Sequence, residues 1–275
     1  MSPSWHNRLY VAMSPDRISM IKLGRGLKPA LRATHDEEIT PISKQQPWQA
    51  VLERFAQLLR QPEWQKAEVN VVLSNRLARF AAITFGAQLK NYAAQEGFAR
   101  HALAQTYGTV VEQWVLRIQP DKAGTPGLVS ALDRALLDGL QQACAAQQLK
   151  LNLVTPYLTP VFNRFQKMFR TDPAWLVINE PGYSLLALLS GGEFVAINGV
   201  CHENIDELPM LLDRENLVST LAEPCKTVYL YTPSGKTSSA IPKSGYEFNK
   251  LDLAVPDGCP PSSNGLHAMT MCEFL

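Results

Sequence analysis

The chain has 275 residues, of which 46% are hydrophobic and 19% charged, so we expect a folded protein with a sizeable core. Its 26 lysines and arginines nearly balance its 25 aspartates and glutamates, and a formal charge of +1 gives no electrostatic reason to expect nucleic acid or an anionic membrane as the main partner. The N-terminus lacks the apolar core of a signal peptide, and no apolar run reaches the roughly 18 residues of a membrane span. These features predict a cytoplasmic protein without direct membrane insertion.

The five cysteines are scattered along the chain, and no two of them lie two residues apart. This spacing favours neither a disulfide framework nor a structural zinc site. Cys201-His202-Glu203 is the only local cluster of ligand-type side chains, but adjacent residues of a strand point to opposite faces. We therefore expect no metal site.

The first part of the chain predicts a β-meander followed by a helical crossover and a parallel strand. Alternating apolar residues and intervening turn residues predict three strands, at 8–13, 17–23 and 30–39. Pro47 suits the first turn of a helix whose apolar residues, from Trp48 to Leu59, recur at spacings of three and four. The apolar run Val69–Leu73 indicates a strand buried on both faces, which we expect to lie parallel to the opening strands.

The middle of the chain alternates strands and helices. We predict strands at 77–85, 113–118, 127–131 and 149–154, and helices at 88–106, 132–147 and 156–169. Ser130 and Asp133, three residues apart, are a weak capping-box signal for the second of these helices.

After residue 173 the opening order of elements returns. Three strands at 175–179, 183–189 and 193–200 precede a helical stretch at 204–221 and a strand at 227–231. The same order occupies residues 8–73, so the sequence predicts an internal duplication of structure without sequence identity between its copies.

The tripeptide Gly235-Lys236-Thr237 matches the end of a phosphate-binding P-loop. That motif needs a glycine five residues before Gly235, where Leu230 stands, and a helix after the lysine, which Pro242 would break. We therefore interpret the segment as a polar hairpin or loop.

Two copies of β-β-β-α-β-α-β are typical of the actin-like, ribonuclease-H-like two-domain fold. The segment VNVVLSNRLARFAAITFGAQLKNYAAQEGFARHALAQTYG, followed by VEQWVLRI, resembles the PilM-type actin-like proteins of type IV pilus assembly and the related cytoplasmic domain of the type II secretion protein GspL. LVTPYLTPVFNRF and GLHAMTMCEFL fit the same order, the latter as a short C-terminal helix that returns to the first domain.

The resemblance implies an α/β protein with two ribonuclease-H-like domains in an actin-like arrangement. The first domain would cover residues 1–172 and carry a small inserted subdomain at about 75–120, and the second would cover 173–275.

ATP-binding members of this fold use a Gly-rich turn preceded by Asp in each half, and a Gly-Gly pair after a late strand. In the first turn of this chain, YVAMSPDRIS, Ala12 falls near the Asp position and Pro15 replaces a glycine, which removes a backbone N–H. The first nucleotide element is therefore degraded.

The second and third elements are degraded as well. In VINEPGYSLL, Asn179 stands where Asp is expected, Gly182 alone remains, and Glu180 would place negative charge near a phosphate. The late strand leads into YTPSGK, with Thr232-Pro233 in place of Gly-Gly.

The resemblance thus implies a cytoplasmic scaffold or adaptor in a pilus or type II secretion-like assembly. Because all three nucleotide elements are degraded, we expect it to act without ATP hydrolysis, catalytic residues or a cofactor, and we expect no metal. Its partner would be a protein, an inner-membrane pilus or secretion component. Candidate partner-binding residues on the surface of the inserted subdomain are Arg76, Arg79, Phe80, Lys90, Tyr92 and Arg100.

The alternative is an active ATPase or sugar-kinase relative that binds ATP with magnesium in the interdomain cleft. Its cofactor-binding residues would be Ser14, Asp16, Asn179, Gly182 and Gly235. Asp16 and Glu180 are the turn carboxylates placed to hold magnesium or act as a base. An unrelated α/β hydrolase lacks support, since the chain has no Gly-x-Ser-x-Gly elbow.

Overall fold

The computed structural model describes residues 6–26, 30–43, 45–119, 126–219, 221, 223–233 and 244–253. The described strands are β1 (Asn7–Ser14), β2 (Arg17–Leu23), β3 (Leu31–Glu38), β4 (Ala67–Leu73), β5 (Ala78–Thr84), β6 (Trp114–Gln119), β7 (Pro126–Asp133), β8 (Lys150–Pro156), β9 (Ala174–Glu180), β10 (Tyr183–Ser190), β11 (Glu193–Cys201), β12 (Thr227–Tyr231) and β13 (Glu247–Leu251). The described helices are α1 (Gln49–Leu58), α2 (Tyr92–Tyr107), α3 (Arg134–Ala146), α4 (Leu158–Phe165) and α5 (Leu208–Val218).

The first sheet has the strand order β3-β2-β1-β4-β8. The hairpins β1–β2 and β2–β3 are antiparallel, whereas β4 lies parallel to both β1 and β8. Val69, Val71 and Leu73 of β4 are fully buried on the face that α1 and α3 cover, and Val72 is buried on the opposite face, which packs against the other half of the molecule. The predicted meander, helical crossover and parallel strand are confirmed.

The second sheet repeats this topology in the order β11-β10-β9-β12-β13. Its first three strands form an antiparallel meander, and β12 and β13 follow in parallel. The helical stretch predicted at 204–221 consists of a short 3₁₀ turn at Ile205–Glu207 followed by α5. The duplication is confirmed, and it includes β13, a strand that the sequence analysis missed.

A third, antiparallel sheet with the order β5-β7-β6 is inserted between β4 and α3. It packs on α2 around a small core that contains Ile83, Phe85, Ala99, Leu103 and Trp114. The sheet continues past the predicted end of the insert near residue 120, because its central strand is β7. At the end of β7, Asp133 caps α3 by accepting a hydrogen bond from the Ala135 N–H at 2.8 Å.

The two repeated halves pack directly against each other. One apolar cluster joins Ala12, Val72 and Tyr157 of the first half to Leu176 and Leu185 of the second. This shared core brings the β1–β2 and β9–β10 turns to the same junction. The predicted C-terminal helix and the Gly235-Lys236-Thr237 segment lie outside the described residues.

Candidate functional site

The junction of the two halves contains a cavity of about 620 Å³. Ser14 and Asp16 reach it from the β1–β2 turn, and Asn179 and Gly182 reach it from the β9–β10 turn. The structure therefore brings together four of the five residues that the sequence assigned to a degenerate nucleotide cleft. Gly235, the fifth, lies outside the described residues.

Both turns at the cavity carry a proline where a phosphate-binding turn would offer a backbone donor. Pro15 follows β1 and Pro181 follows β9, and neither has an N–H. The Ser14 hydroxyl donates to Asp16 Oδ1 at 2.7 Å, so it is already engaged within its own turn. Gly182 adopts a φ of +69°, as the turn requires, and its carbonyl accepts the His202 N–H at 3.2 Å. These turns are poorly suited to cradle phosphates.

The charged side chains of the cavity are also unfavourable for an anion. Asp16 pairs with Arg76 at 2.9 Å, and the guanidinium of Arg17 is held by Asp36 and Glu38 at 2.7 and 2.9 Å. Of the described residues that line the cavity, Arg17 is the one arginine or lysine, and its charge is matched by those carboxylates. A polyphosphate would meet more negative than positive charge here.

The position of Glu180 differs from the prediction for the second turn. The sequence predicts a turn carboxylate near a phosphate, whereas in the structure Glu180 is the last residue of β9 and only 3% of its surface is exposed. Its Oε1 accepts the Asn75 N–H at 3.0 Å, and the Ser74 hydroxyl donates to its Oε2. Burial raises the pKa of this carboxyl group to about 7, although the Ser74 and Asn75 bonds and the charge of Arg76 act in the opposite direction.

Ser74 and Asn75, which were not predicted from the sequence, donate the hydrogen bonds that hold the Glu180 carboxyl group. The Ser74 N–H donates to the Met13 carbonyl at 2.7 Å, and Asn75 Oδ1 accepts the buried Leu158 N–H at 3.0 Å. The short segment after β4 therefore ties β1, α4 and, through Glu180, the second sheet together. The only signal that the sequence offers is a pair of polar residues, Ser-Asn, directly after an apolar strand.

The far wall of the cavity is a small polar network. The Ser184 hydroxyl lies 2.9 Å from both Asn179 Oδ1, to which it donates, and His202 Nε2. Burial lowers the pKa of His202, so its imidazole is neutral at pH 7. Asn179 Oδ1 accepts from Ser184, and the Asp16 carboxylate accepts from Ser14 and Arg76, so both oxygen donors are already engaged within the protein. No group of three or more His, Cys, Asp or Glu side chains in the described part of the chain could hold a metal ion.

The residues predicted to bind a partner fall into two places. Lys90, Tyr92 and Arg100 lie on or beside α2, where Lys90 is exposed and Tyr92 is 43% exposed. Arg100 instead supports the insert internally: its guanidinium donates to the Val111 carbonyl at 2.6 Å and pairs with Glu96 at 3.1 Å.

Arg76, Arg79 and Phe80 lie together beside a second cavity, of about 360 Å³, where β5 meets β10 and β11. The expectation that Phe80 is a surface residue is wrong, since it is 9% exposed and belongs to the cluster shared by the two halves. Its burial follows from the contact of β5 with β11.

A third cavity, of about 410 Å³, forms a groove between two sheet edges. Within the described residues, β6 pairs only with β7 and β8 pairs only with β4, so each presents a free edge. We call this feature the edge groove. Its lining residues include Arg117 of β6, Leu137 of α3, and Leu151 and Leu153 of β8.

No protein-family model matches this chain, and no curated protein sequence matches it. Solved structures do match. A chain of the PilM–PilN type IV pilus biogenesis complex superposes with a TM-score of 0.64 and 14% identity, over 89% of this chain and 88% of that one. The cytoplasmic domain of EpsL, an inner-membrane component of the type II secretion system of Vibrio cholerae, gives 0.56 and 13%, over 97% and 94%.

A Bacteroides thetaiotaomicron protein described as having an actin-like ATPase fold and unknown function gives a TM-score of 0.58 and 10% identity, over 86% and 84% of the two chains. The protein thus has the actin-like fold, as its sequence pattern predicted. No helix in the described residues is long and apolar enough to cross a membrane.

Proposed function

We propose that this protein is a cytoplasmic actin-like scaffold that binds a protein component of an inner-membrane pilus or type II secretion-like assembly, without hydrolysing ATP. The observation that carries the proposal is the likeness of nearly the whole chain to a chain of the PilM–PilN complex. The EpsL cytoplasmic domain, which belongs to an inner-membrane component, supports the same setting.

The chemistry of the interdomain cavity supports the absence of ATP hydrolysis. Phosphoryl transfer requires backbone or cationic groups on the phosphates and a carboxylate for magnesium. Here Pro15 and Pro181 withhold backbone donors, and the carboxyl groups of Asp16 and Glu180 are engaged by Arg76 and by Ser74. We therefore propose that no nucleotide cofactor is used.

The edge groove is the surface best suited to a partner. An extended segment laid along the free edge of β8 would complete backbone hydrogen bonds that the sheet leaves open, and alternate side chains would enter the groove. Leu137, Leu151 and Leu153 supply apolar contact, while Arg117 supplies one cationic group at the opposite edge. The partner segment is accordingly an extended strand with apolar residues at alternate positions.

Site-specific photo-crosslinking in the natural host tests this function. A benzophenone amino acid replaces Arg117, an exposed residue of the edge groove, and in a matched control it replaces Lys250, an exposed residue of β13 at an edge of the second sheet. We expect the probe at position 117, but not at 250, to crosslink to an inner-membrane pilus or secretion component. Equal products at both positions, or no such component at 117, would contradict the proposal.

A further inference from the structure

The cavity beside Arg79 joins the inserted sheet to the second half of the molecule. Its walls combine two cationic side chains with aromatic and proline rings, and they include Arg76, Arg79, Tyr107, Tyr183, Cys201 and Pro47. We call this cavity the Arg79 pocket. None of its lining residues lines the edge groove, so it is a separate surface.

Arg79 has unused hydrogen-bonding capacity in this pocket. Its Nη1 donates to the carbonyl oxygens of Ala78 and Arg76 at 2.8 and 3.3 Å, whereas no described carboxylate forms an ion pair with its guanidinium. Nε and Nη2 remain as two parallel donors on an exposed side chain. Such a fork matches the two oxygens of a carboxylate. Arg76 adds positive charge, although its Nη1 is engaged by Asp16.

Tyr183 adds a neutral donor beside this fork. Burial is the main cause that raises the pKa of its phenol, and the nearby charge of Arg79 only partly offsets it, so the hydroxyl stays protonated. This hydroxyl lies against Gly199, where an added Cβ would collide with it. Among the described residues, no hydrogen-bond partner accepts from it. The pocket therefore presents a phenol hydroxyl and a guanidinium to the same space.

We propose that the Arg79 pocket binds an acidic segment of a partner protein. A carboxylate of that segment takes the two free donors of Arg79, and the Tyr183 hydroxyl donates to the same group or to its neighbour. The rings of Tyr107, which is 39% exposed, and of Pro15 and Pro47 pack on the hydrocarbon parts of the segment. Charge complementarity thus selects the occupant, and the apolar walls favour a protein segment over a small inorganic anion.

Cys201 provides a local reporter, because its exposed thiol lines the pocket while Cys144 and Cys225 are buried. In a C259S/C272S background, we would measure how fast Cys201 reacts with the neutral disulfide 4,4′-dithiodipyridine. The probes are the peptide acetyl-Glu-Phe-Glu-Phe-Glu-amide, its all-Gln counterpart and inorganic phosphate. The acidic peptide should slow the reaction at least tenfold at saturation, and neither of the other probes should do so.

Variants then assign the binding to named side chains. Arg79→Gln should raise the half-protecting peptide concentration about tenfold and Tyr183→Phe about threefold, whereas Arg60→Gln, a matched exposed arginine on α1's C-terminal side, should leave it unchanged. Protection equal for the acidic and Gln peptides, protection by phosphate alone, or protection unaffected by Arg79→Gln would each overturn the proposal. None of these outcomes bears on crosslinking at Arg117, so this inference and the proposed function can fail independently.

Discussion

Replacing Glu180 by glutamine should remove a pH dependence of folding stability that this buried carboxyl group creates. Its pKa in the folded protein is about 7, against an ordinary value of 4.5. Between these two pH values the folded protein keeps a proton on Glu180 that the unfolded chain has released, so the free energy of unfolding falls as pH rises. Each pKa unit corresponds to about 1.4 kcal/mol, so we expect a loss of about 3 kcal/mol between pH 4.5 and pH 8.

Urea unfolding of the wild type and of Glu180→Gln at half-unit intervals from pH 5 to pH 8 measures this effect. Glutamine keeps the shape of the side chain, its oxygen can accept the Asn75 N–H, and its amide can donate to the Ser74 hydroxyl. The difference in unfolding free energy between the two proteins cancels the contributions of other titrating groups, such as His202. Over this interval it should shift by about 2.5 kcal/mol in favour of the variant as pH rises. Glu203→Gln, at an exposed glutamate of the same cavity, is the control and should follow the wild type. A difference that stays constant with pH would refute the reasoning.

Three further outcomes follow from the structure. Gly199→Ala should lower the free energy of unfolding by about 1–3 kcal/mol because the new methyl group would displace the Tyr183 ring, whereas Gly97→Ala, with open space at the Cβ in α2, should raise it by up to about 1 kcal/mol. Unchanged urea midpoints for both variants would contradict this. Arg100→Met should cost about 1–3 kcal/mol by removing the bond to the Val111 carbonyl, and an unaltered midpoint would show that the bond contributes nothing. Calorimetry with magnesium-ATP at millimolar concentration should give no binding heat, and micromolar affinity would restore the ATPase alternative.

The topology could be predicted because short stretches of the sequence have patterns of apolar and polar residues that indicate each strand and helix. Alternation defines the meander strands, and the continuous run at β4 can be satisfied only by burial on both faces, which the structure shows for Val71 on one face and Val72 on the other. The repeat of element order then predicts the second sheet. β13 lacks such a pattern: its residues Glu-Phe-Asn-Lys-Leu are mostly exposed, and Leu251 alone is buried. Its position depends on pairing with β12, which no local signal encodes.

The sequence predicted which residues meet at the candidate cavity, but it did not predict the burial and hydrogen bonds of Glu180. Ser14, Asp16, Asn179 and Gly182 could be placed together because each lies at a strand end in one of the two repeated hairpins. The state of Glu180 could not be predicted, because a glutamate before Pro-Gly has the local pattern of a turn residue. The groups that donate hydrogen bonds to its carboxyl group belong to Asn75, which is 105 residues away in the chain, and to Ser74. Only tertiary packing brings them together.

The same contact supports our proposal that this junction does not bind a nucleotide. The N–H of Asn75 and the hydroxyl of Ser74, which could bind an external anion, are directed at the carboxyl group of Glu180 from the other half of the molecule. Burial is the main cause that raises the pKa of Glu180, and it outweighs the opposing charge of Arg76, so this buried junction already disfavours one negative charge. A polyphosphate would add several charges at the same place and would meet two prolines instead of backbone donors. This buried contact between the halves therefore supports our proposal that no nucleotide is used to hold them together.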